Sequence, residues 1–309
     1  MFKADILQGD RHEQLRVLLV AIALQGVGLE HRVRASGGGR PAYQPASGAC
    51  LLSCAHTGGD MDLTTLPREH GVRLRGQSVT RLETFVDAAF AFALTLLVIA
   101  GDDLPDSFAE LREALRRTPV FVFCFILIAM FWSGHNRWSR RFGLEDTKST
   151  VLSMGFVLAV LVYVYPLRMV IASGLHFMTR GFVPADMTFA VENVMYDLQT
   201  AFIIYGLGFT VLAAILLLLN RHALSRAEYL QLDEAERIET QGEIAIQGML
   251  AGAGLLSVAL SAWLLLYDDP RSAPVTAGLP MYTYMLLGVA IPIHAKRVER
   301  RRNTALARP

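Results

Sequence analysis

The residues of this chain best placed to do chemistry are ionisable side chains set inside or against long apolar runs. Asp87 stands near the front of RLETFVDAAFAFALTLLVIA (Arg81–Ala100). His135 and Asn136 close a second run, Arg168 ends a third, and Glu192 and Asp197 precede a fourth. A charge at the centre of a membrane helix costs about 2.5–3.5 kcal/mol, so such groups face protein or water. They then either serve an ion path or hold helices together through polar contacts. Asp87 lies about one and a half turns into its run, near an interface, which lowers its cost. An antiparallel second run brings His135 to similar depth. An Asp87–His135 or Asp87–Arg81 contact is expected, with packing of helices the preferred role.

Other chemistry finds little support. CLLSCAH carries Cys50 and Cys54 but lacks a second ligand pair at zinc spacing, so no metal and no cofactor is expected. No His-x-x-x-His, Gly-x-Ser-x-Gly or phosphate loop is present, and an enzyme is not expected. Asp102, Asp103 and Asp106 could concentrate cations at a pore mouth, but a solvated loop is the preferred reading. A net charge of +1 leaves no strong field to recruit nucleic acid.

Six apolar runs supply the elements that must position these residues: Leu82–Ala100, Pro119–Gly134, Val151–Val170, Leu198–Leu219, Ile244–Tyr267 and about Leu279–Ala295. The chain is 53% hydrophobic and 18% charged, where soluble domains carry roughly 25% charge. A bilayer core takes about 20 apolar residues as helix, and its backbone groups must pair internally. The expected fold class is therefore all-α, a polytopic membrane protein with six transmembrane helices. The second and sixth runs are short and need their flanks. Pro119 suits a first helical turn, and Pro292 is expected to kink or end the sixth run. Lys and Arg gather before the first run, after the second, after the fourth and after the sixth. Both termini are thus expected to be cytoplasmic, which agrees with an even number of spans.

The remaining segments divide as follows. Residues 1–60 are rich in Gly, Pro, Ser and Ala and read as a disordered or mis-assigned extension, with Met61 a plausible start. Residues 61–80 form a cytoplasmic lead-in, 81–296 the membrane domain and 297–309 a basic cytoplasmic tail. Between the first two runs, Ser107 and Glu110 read as a capping box. Phe108, Leu111 and Leu115 then share one face of a short amphipathic helix. Ser225–Glu243 is densely charged and reads as a solvated extension of the fourth and fifth spans. On the first span, Arg81, Phe85, Ala88, Phe92, Thr95 or Leu96, and Ile99 recur every three or four residues and make one face. Periodicity alone makes that face an ordinary packing seam.

These residues resemble the transmembrane protein 175 family of potassium channels. Arg81, Phe85 and Asp87 match its signature Arg-x-x-x-Phe-Ser-Asp, and AAFAFALTLLVI looks like its first span. FWSGHNRW (Phe131–Trp138) is similar to the Trp-x-x-His element of its second span, and YVYPLR (Tyr163–Arg168) resembles the proline after the third. The likeness covers about Arg75 to Lys296. It implies a homotetramer in a prokaryotic cell membrane, conducting K+, with first spans around a central pore. The family's constriction falls on Phe92, and the lining positions after it on Thr95 and Ile99. Arg81, Phe85, Asp87, Trp132 and His135 would form a network tying that span to its neighbours, with Asp87 behind the pore and not on the ion.

Two departures accompany the likeness. Val86 stands where the signature has serine, and Phe92 stands where the family has a smaller aliphatic residue. Four phenyl rings around an axis would narrow or seal a pore, since hydrophobic constrictions gate by dewetting. A potassium-permeable channel is the leading expectation. A non-conducting scaffold or sealed channel of the same fold is the alternative.

Overall fold

The computed structural model describes residues 66–69, 72–99, 106–185, 194–267, 276 and 278–307. The extension 1–60 with Cys50 and Cys54, the acids Asp102 and Asp103, Glu192, and the side chain of Ile99 lie outside the described residues. The described chain begins with two short strands, β1 (Arg68–Glu69) and β2 (Val72–Arg73), paired antiparallel with Arg68 opposite Arg73. Seven helices follow among the described residues. They are α1 (Arg81–Ile99), α2 (Phe108–Arg116), α3 (Thr118–Phe142), α4 (Thr147–Met178), α5 (Val194–Ser225), α6 (Glu234–Leu266) and α7 (Leu279–Leu306). The fold is helical apart from the short strand pair.

Among the described residues four helical stretches are long and apolar enough to cross a membrane, Phe108–Phe142, Thr147–Met178, Val194–Ser225 and Glu234–Leu266, against the six expected; α1 and α7, which carry the first and sixth apolar runs, are helical but are not among the four. The second and sixth apolar runs are extended by their flanks, into helices of 25 and 28 residues. Pro119 sits in the first turn of α3, where its missing N–H is harmless. Pro292 lies inside α7, which continues through it to Leu306. The flanking turns supply enough helical residues to carry both elements well past their apolar centres.

Helix ends are set by local chemistry. Ser107 caps α2 by accepting a hydrogen bond from the Glu110 N–H at 3.2 Å, but the Glu110 carboxylate accepts from the Asp106 N–H and not from that of Ser107, so the expected reciprocal capping box is only half made. Phe108, Leu111 and Leu115 are exposed along that helix. Gly143 ends α3 with φ of +57°, a conformation glycine adopts without strain. A Cβ there would also lie 3.1 Å from the Gly76 backbone N. The lead-in therefore runs hard against the end of α3, and the Gly76 N–H donates to Arg140 O at 3.0 Å.

The core runs between the long helices. Phe131 of α3, Phe156 and Leu167 of α4, and Leu212, Leu216 and Leu219 of α5 are fully buried. Phe131 meets Phe209 edge-on with ring centroids 5.4 Å apart, and Phe209 meets Tyr284 of α7 at 5.1 Å. Helices α5 and α6 approach so closely that a Cβ on Gly206 would come within 2.8 Å of Val258 Cγ2.

One expectation fails outright. The segment Ser225–Glu243 is not a solvated extension. Ala227, Leu230, Leu232, Ala235, Glu236, Glu239 and Thr240 are all buried. The chain makes a tight turn and restarts as α6 with a capping box between Asp233 and Glu236. Charge density misleads here because the partners of these acids lie far away along the chain.

Candidate functional site

Helix α1 has two faces of opposite character. Glu83, Val86, Phe90, Ala93 and Leu97 recur every three or four residues and are buried against the other helices. On the opposite side Phe85 is 49% exposed, Phe92 55% and Val98 60%, and Arg81, Ala88 and Thr95 are exposed beside them. Nothing among the described residues of one copy covers this face. Val86, the residue in place of the signature serine, is 1% exposed on the buried side and packs in the apolar core. The Thr95 hydroxyl donates to Ala91 O at 3.0 Å, which leaves its oxygen lone pairs available on the open side.

Helix α1 is anchored to the rest of the chain at three levels. At the Arg81 end, Asp87 accepts a hydrogen bond from the Trp132 indole N–H of α3 at 2.8 Å. The sequence points Asp87 toward His135 or Arg81, and the structure gives it neither. The indole reaches it instead, from a position about one turn of α3 away from His135. His135 bonds Ser153 of α4 at 2.9 Å and stacks on Phe156, with centroids 5.5 Å apart and planes 12° apart. At mid-height Phe90 packs on the same Phe156 ring at 5.5 Å. At the far end the buried Arg168 donates from Nη1 to Leu97 O at 3.1 Å. That carbonyl belongs to the last turn of α1, where orphan acceptors need donors.

Of the residues singled out from sequence, Trp132 and Asp87 are brought together. His135 lies one helical turn beyond, holding α3 to α4. Arg81 and Phe85 stand exposed at the start of α1. Phe92 and Thr95 share the open face. The backbone of Ile99 ends α1.

Sequence reasoning missed a second cluster at the Arg81 end of the bundle. Glu236 stands ahead of the apolar run of α6 and is 1% exposed. It accepts from the Arg73 backbone N–H and from the Arg73 and Arg75 guanidinium groups at 2.8–3.2 Å. Burial alone would raise this carboxyl, but the hydrogen bonds from Arg75 and Arg73 outweigh it and hold the group down at about 2. Nearby, Glu239 pairs with Arg141 of α3 at 3.5 Å and Arg302 of α7 at 3.2 Å. Glu243 pairs with Arg141 at 3.5 Å. The lead-in, α3, α6 and α7 are thus clamped together just before α1 begins. The Asp233-x-x-Glu236 capping box was a readable signal for where α6 starts, though not for its partners. Among the described residues no group of three or more His, Cys, Asp or Glu could hold a metal ion.

Comparison with known proteins bears on this geometry. The family described as endosomal/lysosomal potassium channel TMEM175 matches residues 81–166. Those residues run from the start of α1 into α4 and include the Asp87–Trp132 contact. A potassium channel of Marivirga tractuosa is 30% identical over 189 residues, covering 60% of this chain and 76% of the relative. The crystal structure of a variant of the potassium channel MtTMEM175, in complex with a nanobody–MBP fusion protein, superposes with a TM-score of 0.63. It is 26% identical, and the match covers 76% of this chain and 100% of that one.

Proposed function

The chain belongs to the TMEM175 potassium channel family, and from that premise we propose that it is a passive, potassium-permeable cation channel whose pore is lined by the open face of α1. The observation that carries the reading is that face itself. A membrane helix that buries one side on its own subunit and leaves Phe85, Phe92, Thr95 and Val98 uncovered needs either lipid or other copies beside it. The signature occurs once in the chain, so a single copy cannot surround a pore. A symmetric homo-oligomer, a tetramer in this reading, places the four α1 helices around one axis.

In that assembly α1 to α7, without the short α2, are six spans of a multi-pass protein in the cell membrane, with both termini cytoplasmic. Phe92 forms the constriction, with Thr95 and Ile99 lining the path beyond it. The ring of phenyl groups excludes water unless the rings turn aside, and an ion must then shed part of its hydration to pass. Asp87 holds α1 from behind through Trp132 and does not touch the ion. His135 fixes α3 to α4 at the next level, and Arg81 and Phe85 stand at the cytoplasmic entrance. The chemistry is transport with no bond made or broken.

A sealed relative of the same fold is the second reading, and the bulk of Phe92 favours it. Potassium flux compared with sodium flux, in liposomes holding the purified protein or Phe92→Ala, tests the channel. Selective flux from the unmodified protein supports it. Flux from Phe92→Ala alone identifies a channel closed at that ring. No flux from either, with an intact oligomer, leaves the non-conducting scaffold.

A further inference from the structure

Helix α7 carries along most of its length a pattern that conduction does not use. Tyr282, Leu286, Val289 and Ile293 are exposed and recur every three or four residues, so they form one row along the helix. Lys296, Arg297, Arg300 and Arg301 follow, and all are exposed. Arg297 and Arg300 continue the apolar row with the same spacing, and Lys296 and Arg301 flank them. The row passes from apolar to cationic within about one turn, a rise of about 5 Å. None of the four cations makes an ion pair among the described residues.

The opposite face of the helix fixes this arrangement. Arg302 pairs with the buried Glu239 of α6 at 3.2 Å. Val298 lies so close to α6 that a Cβ on Gly242 would come within 2.8 Å of Val298 Cγ1. The basic end of α7 is therefore docked on the bundle with its four exposed cations turned outward. Glu299, also exposed, is the one acid between Lys296 and Ala307. A soluble anion would use the cations and ignore the apolar row. A phospholipid uses both halves in the order in which they occur.

We propose that this face of α7 binds anionic phospholipid at the inner membrane surface. The acyl chains lie along the row from Tyr282 to Ile293, and the phosphate sits among Lys296, Arg297, Arg300 and Arg301. The inference rests on the reading of α7 as a span with a cytoplasmic end. Each Lys or Arg beside an anionic surface strengthens binding by about fivefold.

The test is native mass spectrometry of the purified full chain with phosphatidylglycerol or phosphatidylcholine, for the unmodified protein and for K296Q/R297Q/R300Q/R301Q. Potassium flux is measured in parallel in phosphatidylcholine liposomes. The unmodified protein should retain phosphatidylglycerol preferentially. The fourfold variant should lose that preference, R300Q alone should weaken it about fivefold, and R297K/R300K/R301K should keep it. Equal retention of both lipids, or an unchanged preference in the fourfold variant, overturns the proposal. So does displacement of the lipid by millimolar inorganic phosphate, which would mark a soluble-anion site. Flux without lipid preference leaves the channel reading standing alone, and lipid preference without flux does the reverse.

Discussion

Two regions of this molecule defy the ordinary sorting of residues, and they do so in opposite directions. The open face of α1 is apolar and uncovered, with Phe92 55% exposed. The turn into α6 is densely charged and buried, with Glu236 1% exposed. The second case is resolved within the chain, because Arg73 and Arg75 supply opposite charge and donors for both carboxylate oxygens. The first has no such resolution among the described residues of one copy. A buried charge that is fully paired signals a finished structural joint. An apolar face left bare beside a well-packed one signals a surface whose partner lies outside the chain.

The largest expected effect comes from breaking the finished joint. Glu236→Ala leaves the buried Arg75 without its carboxylate and Arg73 with only Asp233 at 3.5 Å, and should cost about 3–5 kcal/mol of stability. The check is the thermal midpoint of the protein in detergent, where Phe92→Ala should shift far less. Similar shifts for both would erase the contrast between the two regions.

Next is the anchor behind α1. Trp132→Phe keeps an aromatic ring and removes the N–H that Asp87 accepts, so it should cost about 1.5–3 kcal/mol, as for hydrogen bonds to charged groups. Asp87→Ala should chiefly impair assembly, seen as a shift from oligomer to smaller species by size-exclusion chromatography. A normal oligomer with altered ion selectivity alone would remove Asp87 from its supporting role.

A smaller effect sharpens the contrast through pH. The folded Glu236 carboxyl ionises far below its ordinary value of 4.5, at about 2. Its contribution to stability is therefore complete above pH 4.5 and fades as pH falls toward about 2. Denaturation midpoints followed over that window should flatten in Glu236→Gln relative to the unmodified protein. An unchanged slope would mean that other carboxylates govern acid sensitivity.

Much of the membrane architecture was legible in the apolar runs, because a bilayer demands long helices and the sequence supplies them. The capping at Ser107 and Asp233 is equally local, and the first is readable from its Ser-x-x-Glu spacing. What escaped was long-range. The partners of Glu236 lie in residues 73 and 75, more than 150 positions earlier, so the charge pattern of the turn alone looks solvated. The donor that reaches Asp87 could not be told apart in advance, because Trp132 and His135 lie within one turn of the same helix. The role of Arg168 was invisible for a similar reason. Its partner is a backbone carbonyl of α1, which no side-chain pattern records. The α1 stripe itself is visible as a period, but only the structure separates its open face from the buried face beside it.

Whether the open face of α1 lines the pore is read from its accessibility during conduction. Thr95→Cys and Ala93→Cys, in an otherwise cysteine-free chain carrying Phe92→Ala to open the path, are each reconstituted in liposomes. Potassium flux is then followed on adding a charged, water-soluble thiol reagent. The reagent should block flux through Thr95→Cys and leave Ala93→Cys, whose position is 0% exposed, unaffected. Block at position 93 with none at 95 would show that another surface lines the pore.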